Sequence, residues 1–358
     1  MRVCFISEAQ STHTQRWTGS LAQAGCEIHL ISSSGVDIPG VALHHLPIYT
    51  PNPWQQIRND ISIRRLIGEL QPEITHLFGL FSLSSLGTMG LIRNLKNLVI
   101  SVWGSDVKPG GDRETFKERV IKKYLLNRGD CLVAISEYLA NEVQRYLNRP
   151  RDIEIVPWGV DLDMFRPIDR KGSSRVVRVG FAKRLHQLSG PDILLKAFQY
   201  ARDKCEQKSE LRVAGSGPME YQLRQEATQL GLADCIEWVG WLRTREELRD
   251  FYHSIDIFVM PSRRESFGVS ALEASATGLP VIASRFGGIP EIVAHGETGL
   301  LVEPEDVEGF GKAIISLLED ENLRREMGLR GRMRAEAKFD WGVSVRNMIK
   351  IYNQIGAG

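Results

Sequence analysis

The sequence predicts an α/β protein built as two doubly wound domains with parallel sheets, and three observations carry that prediction. Short β-branched apolar runs alternate with segments of helical period along the chain, which is the signature of βαβ units. The runs show little polar alternation, as expected of strands buried on both faces. They fall into two sets, and 358 residues is too long for one ordinary core.

In the first set the strand runs are Arg2–Ser7, Glu27–Ile31, Ile74–Leu77, Leu98–Val102, Cys131–Ile135 and Ile153–Val156. In the second they are Val176–Phe181, Leu211–Ala214, Ile236–Val239, Ile257–Met260, Pro280–Ala283 and Gly299–Val302. Between them lies Pro157-Trp158-Gly159-Val160-Asp161-Leu162-Asp163-Met164-Phe165-Arg166-Pro167, then the polar stretch Ile168–Ser174. The expected domains are therefore 1–167 and 168–338. Residues 339–358 are expected to form a terminal helix crossing back to the first domain, because apolar residues recur at helical spacing from Trp341 to Ile355.

A hydrophobic content of 42% and a charged content of 25% are those of a soluble globular protein. A formal net charge of +1 gives no electrostatic footprint for nucleic acid, and none is expected as a partner. The five cysteines are scattered, with no CxxC pair, and read as reduced core residues of a cytoplasmic protein. The opening Met1-Arg2-Val3-Cys4-Phe5-Ile6 reads as a first strand rather than a signal peptide, and no apolar run is long enough to span a bilayer.

The most informative stretch is Pro261-Ser262-Arg263-Arg264-Glu265-Ser266-Phe267-Gly268-Val269-Ser270-Ala271-Leu272-Glu273-Ala274, which leaves a strand and enters a helix. In an open α/β sheet, ligands bind just beyond the carboxyl ends of the strands, so this loop sits where substrate would lie. Gly268 permits close backbone approach at the mouth of a helix whose free amides and dipole favour phosphate. Glu265 and Glu273 can each accept paired hydrogen bonds from a polyol, one from a sugar ring and one from a ribose. Two solvated glutamates near an ordinary helix start would show the same spacing.

The string resembles the E-x7-E motif of the retaining GT-B glycosyltransferases of the family 4-like, group 1 type, and four other motifs stand in register with it. Val156-Pro157-Trp158-Gly159-Val160-Asp161, with Phe165 and Pro167, resembles that family's inter-domain linker. Arg212-Val213-Ala214-Gly215-Ser216-Gly217-Pro218 resembles its strand-to-turn motif below the donor. Val239-Gly240-Trp241 resembles the turn whose backbone contacts the nucleobase. Gly287-Gly288-Ile289-Pro290-Glu291 with Gly296-Glu297-Thr298-Gly299 resembles its last loop and hairpin.

The resemblance implies two Rossmann-like domains facing each other across a cleft, with the acceptor in the first and a nucleotide-diphosphate sugar in the second. The implied activity is that of a retaining, metal-independent hexosyltransferase. Its donor is UDP-, GDP- or ADP-linked, no cofactor is needed, and its acceptor is a glycan, a lipid-linked or a small molecule in polysaccharide or glycoconjugate biosynthesis. Retention is expected to be front-face, with the leaving phosphate assisting deprotonation of the acceptor. Two alternatives stand beside this reading: a catalytically weakened subunit that binds a nucleotide sugar, and a sugar-nucleotide 2-epimerase.

By the same resemblance, Glu273 holds the ribose hydroxyls and Glu265 faces the donor sugar's hydroxyls. Ser266 and the backbone amides of Phe267, Gly268 and Val269 hold the pyrophosphate or sugar, while Gly215 and Gly240 shape the donor floor. Arg184 falls where the family has a diphosphate-binding arginine, a fixed guanidinium that stabilises charge on the departing nucleoside diphosphate. The family's lysine five residues further on is replaced here by Ser189. Lys183 or His186 is then left to supply the missing cation, or to be an ordinary loop residue.

The acceptor-side domain departs further. Ser7-Glu8-Ala9-Gln10-Ser11-Thr12-His13-Thr14-Gln15-Arg16-Trp17 lacks the family's glycine pair, and His13 either lines the cleft or begins a helix. Val102-Trp103-Gly104-Ser105-Asp106 carries Trp103 where the family has histidine. Trp103 either stacks on a sugar or fills the core, and Asp106 either binds acceptor hydroxyls or caps the next turn. Asp161-Leu162-Asp163 has a D-x-D pattern but lies in the linker, and His44 and His45 point to opposite faces of a strand, so no metal is assigned. The basic, amphipathic segment Phe116–Arg128 is either a helix for peripheral contact with the inner face of a membrane or a surface helix on a sheet.

Overall fold

The computed structural model describes residues 1–46, 52–80, 92, 95–104, 106–107, 114–168 and 176–357. Ser105 and most of the polar stretch 168–174 lie outside these residues. Contacts divide the chain into two units, Met1–Pro157 with Gly342–Gly358, and Trp158–Trp341.

The first unit is a seven-stranded parallel sheet of β1 (Arg2–Ile6), β2 (Glu27–Ser32), β3 (Val41–His45), β4 (Ile74–Phe78), β5 (Leu98–Val102), β6 (Cys131–Ala134) and β7 (Glu154–Ile155). Its order is β3-β2-β1-β4-β5-β6-β7. β4 and β5 are buried along their whole length, so neither alternates buried with exposed positions, and their polar residues Thr75, His76 and Ser101 lie inside. The helix Trp341–Gly356 belongs to this unit from Gly342 onward. On it, Tyr352 is fully buried with its Oη 2.5 Å from His76 Nδ1 on β4, and His76 Nε2 lies 2.7 Å from Ser101 Oγ on β5. Burial pushes the His76 imidazole down to about 3, so it is neutral at ordinary pH.

The second unit is a six-stranded parallel sheet of β8 (Val177–Ala182), β9 (Ser209–Ala214), β10 (Ile236–Gly240), β11 (Ile257–Met260), β12 (Val281–Ser284) and β13 (Gly299–Val302). Its order is β10-β9-β8-β11-β12-β13. Phe181, Leu195, Phe198, Val213, Val259, Phe310 and Leu317 form part of one core. Contacts place 158–167 with this unit rather than with the first. Phe165 is fully buried, 6.0 Å from the Tyr252 ring, and the Arg332 guanidinium donates to the carbonyls of Leu162 (3.0 Å) and Phe165 (2.8 Å).

Both sheets reverse their direction of travel once, between β1 and β4 and between β8 and β11. The carboxyl edge of a sheet at such a reversal is the place where ligands bind in folds of this kind.

Candidate active site

In the second unit the loops that follow β8, β9 and β11 meet at the switch point, and glycines let them close together. Gly190 (φ 69°) and Gly215 (φ 134°) adopt backbone that side chains rarely tolerate. A Cβ on Gly190 would collide with the Pro261 carbonyl, and one on Gly215 with the Lys183 carbonyl. Gly215 also donates its amide to the Gly240 carbonyl at 2.7 Å, tying the β9 loop to the end of β10.

Across this junction Lys183, leaving β8, forms a short ion pair with Glu265 of the β11 loop. The Lys183 ammonium also donates to Ser262 Oγ at 3.2 Å, a hydroxyl with no exposure. Burial pushes the Glu265 carboxyl up, but the Lys183 charge and hydrogen bonds from Lys183 and the Phe267 and Ser266 amides outweigh it. The carboxyl is therefore held below the usual range and is an anion at neutral pH. The amides of Ser266 and Phe267 thus serve Glu265, whereas the resemblance gave the Phe267 amide to the pyrophosphate or sugar. Gly268 (φ 108°) then opens the helix Val269–Ala276, whose first amides have no intrahelical acceptor.

The β11 loop is held by Arg263, which the sequence reading did not single out. Its guanidinium makes two 2.7 Å bonds to Asp192 at the start of the helix Pro191–Lys204, a third at 2.8 Å to the Gln187 carbonyl, and a short pair with Glu305. The Arg263 amide adds a 2.9 Å bond to the Leu188 carbonyl. Arg263 therefore clamps the loop carrying Glu265 to the loop carrying Lys183. Nothing local signals this, because its partner Asp192 is 71 residues away.

Glu273, on the helix Val269–Ala276, accepts a 3.2 Å bond from the Tyr252 hydroxyl. That tyrosine is fully buried and also donates to the Ser270 carbonyl at 3.2 Å, so it fixes the carboxylate against the helix. Tyr252 is a second residue that sequence reasoning missed. Arg184 is exposed on the β8 loop. Ser189 is buried in the 3₁₀ turn Gln187–Ser189, and His186 caps that turn by accepting the Leu188 amide at 3.2 Å. Lys183, rather than His186, is the loop cation that meets Glu265.

In the first unit, the His13 and Trp103 rings stack with centroids 5.7 Å apart and planes 11° apart, beyond the ends of β1 and β5. Phe78 backs the indole at 4.4 Å. Asp106 is buried, and its two carboxylate oxygens accept the amides of Leu80 (2.8 Å) and Trp103 (2.7 Å). Its carboxylate thus joins Leu80, just after β4, to Trp103, just after β5, and neither partner belongs to the turn that follows Asp106.

Asp161 accepts the Met164 amide at 3.0 Å and lies 3.6 Å from Arg245, so its carboxylate serves a turn. The helix Phe116–Arg128 turns Ile121, Leu125 and Leu126 inward and buries Lys122 in a 2.8 Å pair with Glu114. Among the described residues, no helix is long and apolar enough to cross a membrane.

Comparison with known proteins agrees with this layout. Residues 2–136 match the family model Glycosyl transferase 4-like, and residues 170–334 match Glycosyl transferases group 1. The chain belongs to the group 1, family 4-like glycosyltransferases. A D-inositol 3-phosphate glycosyltransferase of Corynebacterium jeikeium (strain K411) is 32% identical over 274 residues, 72% of this chain. The matched part spans 65% of that relative's length. Sucrose-phosphate synthase from Thermosynechococcus elongatus superposes with a TM-score of 0.83 at 22% identity, over 100% of this chain and 99% of that one. Anabaena HepE, solved with UDP and glucose, gives 0.80 at 16% identity, over 99% and 100%. At these identities the likeness is one of fold, and the fold is GT-B.

Proposed function

We propose that this family member transfers a hexose-type sugar from a nucleotide-diphosphate sugar to a glycan, lipid-linked or small-molecule acceptor, with retention and without a metal ion. The observation that carries the proposal is the meeting of Lys183 and Glu265 at the β8/β11 switch point, beside the free amides of a helix that opens on Gly268. A cation, an anion and a helix N-terminus at one crevice match the three demands of the reaction. Charge grows on the leaving diphosphate, positive charge grows on the sugar, and the donor must be held in place.

In this reading Lys183, exposed Arg184 and the amides opening Val269–Ala276 receive the diphosphate, and Lys183 takes the place of the cation lost at Ser189. Glu265, ionised, accepts the sugar's hydroxyls and offsets oxocarbenium charge. It is not a proton donor, because its neighbours keep it deprotonated. Glu273, steadied by Tyr252, takes the ribose hydroxyls. The proton of the acceptor hydroxyl passes to the departing phosphate oxygen as the new glycosidic bond forms on the face that the phosphate leaves. The stacked His13 and Trp103 line the acceptor side, where the indole offers an apolar face and no base.

UDP sugars head the donor panel because HepE was solved with UDP and glucose. The test is thermal shift with UDP, GDP, ADP and their common sugars, for wild type and Glu273→Ala. Stabilisation by one nucleotide, lost in the variant, is expected. No stabilisation by any of them would overturn the proposal in favour of a non-catalytic subunit. Donor turnover with the product anomer read by NMR tests retention, and transfer unchanged by a chelator tests metal independence.

A further inference from the structure

The atoms that Lys183 and Glu265 would offer a donor are the atoms they give to each other. The Lys183 ammonium donates to Glu265 Oε2 and, at 3.2 Å, to Ser262 Oγ, and its third hydrogen is left with the Met260 thioether, a weak acceptor 3.9 Å away. Glu265 Oε1 accepts the Ser266 amide at 3.1 Å, so the contact with Lys183 engages the other oxygen. A phosphate oxygen that takes the Lys183 ammonium therefore takes it from Glu265.

The two partners differ in freedom. Lys183 ends a flexible four-carbon stem. Glu265 is held by backbone amides on a loop that Arg263 ties to Asp192 through two 2.7 Å bonds. The ammonium can swing toward a diphosphate, and the carboxylate cannot follow it. Both side chains are mostly covered, at 18% and 20% exposure, so a carboxylate deserted by its cation stays poorly solvated unless other donors replace it. The hydroxyls of a donor's sugar are such donors, and a nucleoside diphosphate has none to bring to Glu265.

We propose, in an inference that rests on the donor site proposed above, that the Lys183–Glu265 pair makes this site select an intact nucleotide-diphosphate sugar over the nucleoside diphosphate that transfer leaves behind. Glu265 competes with the diphosphate for Lys183, and only a ligand that carries a sugar compensates Glu265 for the loss. Closing of the pair then helps to expel the spent nucleotide after each turnover.

The test is calorimetric titration of the full chain, without acceptor, with UDP and UDP-glucose, GDP and GDP-mannose, and ADP and ADP-glucose. Wild type is expected to bind one nucleotide sugar about tenfold tighter than its nucleoside diphosphate, the worth of one or two hydrogen bonds to a charged group. Glu265→Gln should bind that nucleoside diphosphate about tenfold tighter than wild type does, because Lys183 is released to it, and should lose the preference for the sugar-bearing ligand. Lys183→Met should bind the nucleoside diphosphate about tenfold more weakly. In the double variant Glu265→Gln should no longer tighten binding, since no cation is left to release. Wild type alone gives a further measurement. Among monodeoxy-sugar analogues of the preferred donor, at least one should bind no better than the nucleoside diphosphate. Unchanged or weaker nucleoside diphosphate binding by Glu265→Gln with wild-type melting would overturn the proposal, as would monodeoxy analogues that all bind like the parent donor. So would equal tightening by Glu265→Gln with and without Lys183, which would show plain repulsion between carboxylate and diphosphate. Wild type that binds none of the six ligands would overturn the donor site itself, a failure distinct from these.

Discussion

Replacing Lys183 with methionine keeps an alkyl stem and removes the cation facing Glu265. The carboxylate retains the amides of Ser266 and Phe267 but loses its counter-charge. Removing one partner of a fully buried pair costs about 3–5 kcal/mol. Lys183 and Glu265 keep 18% and 20% side-chain exposure, so water recovers part of that cost. The expected destabilisation is about 2–3 kcal/mol.

Its pH dependence has a defined sign. With Lys183 present the folded carboxyl sits below its ordinary value, so the pair's stabilisation is complete above the unfolded pKa and is lost as pH falls through the folded one. Burial is the largest influence on Glu265 and acts in the opposite direction. Without Lys183 the two largest lowering influences are gone, so the folded pKa rises from its wild-type position and the ionised carboxyl is less well supported at neutral pH. The variant's carboxyl then takes up its proton at higher pH than the wild type's, so the difference between the two proteins narrows on acidification. In urea denaturation the deficit of Lys183→Met relative to wild type should therefore shrink between about pH 7 and about pH 4. Adding Glu265→Gln should recover part of the lost stability by removing the unpaired charge. A deficit equal at both pH values and untouched by Glu265→Gln would refute the coupling. Transfer by Lys183→Met should fall by roughly 10²–10³, the usual cost of losing a group aimed at developing charge.

Two other outcomes follow from single positions. Gly190→Ala combines a left-handed backbone with a collision against the Pro261 carbonyl, so it should cost at least about 2 kcal/mol in denaturant unfolding and weaken donor-induced thermal stabilisation. For His76, whose folded pKa of about 3 lies below the ordinary value, the unfolded chain binds the extra proton. Stability should therefore fall by about 2 kcal/mol from pH 7 to pH 5 on this account. His76→Gln should flatten that part of the pH profile, and a slope unchanged by the substitution would place its origin elsewhere.

Much of the fold was legible because buried parallel strands announce themselves as largely apolar runs. Leu98–Val102 and Ile257–Met260, buried throughout, appear with the bounds read from sequence, and so does the apolar edge strand Gly299–Val302. The strand Val41–His45 was not among those runs, and its chemistry explains why. It is an edge strand, half exposed and carrying two histidines, so burial never imposed an apolar sequence on it. The candidate site divides in the same way. Glu265, Gly268 and Glu273 stand in one contiguous string because a strand end, a turn and a helix start are local events. Their supports are not local. Tyr252 reaches Glu273 across 21 residues, Arg263 reaches Asp192 across 71, and Asp106 takes the Leu80 amide across 26. Such contacts exist only once the sheet has brought the loops together, and no periodicity or spacing records them. The same logic explains why sequence left Lys183 and His186 equivalent as substitutes for the cation missing at Ser189. Both lie on one loop, and only the folded turn separates them: His186 turns back to cap Gln187–Ser189, while Lys183 projects from the strand end toward Glu265. A cation moved from the position of Ser189 to that of Lys183 stays at the switch point but leaves the turn for the strand end. If this is the cation that meets the diphosphate, installing lysine at 189 in the Lys183→Met background should recover part of the lost transfer without restoring the pH behaviour of Glu265. Recovery of both together would show that the two positions are interchangeable, and would place the origin of the Glu265 shift in charge at the crevice rather than in the pair itself.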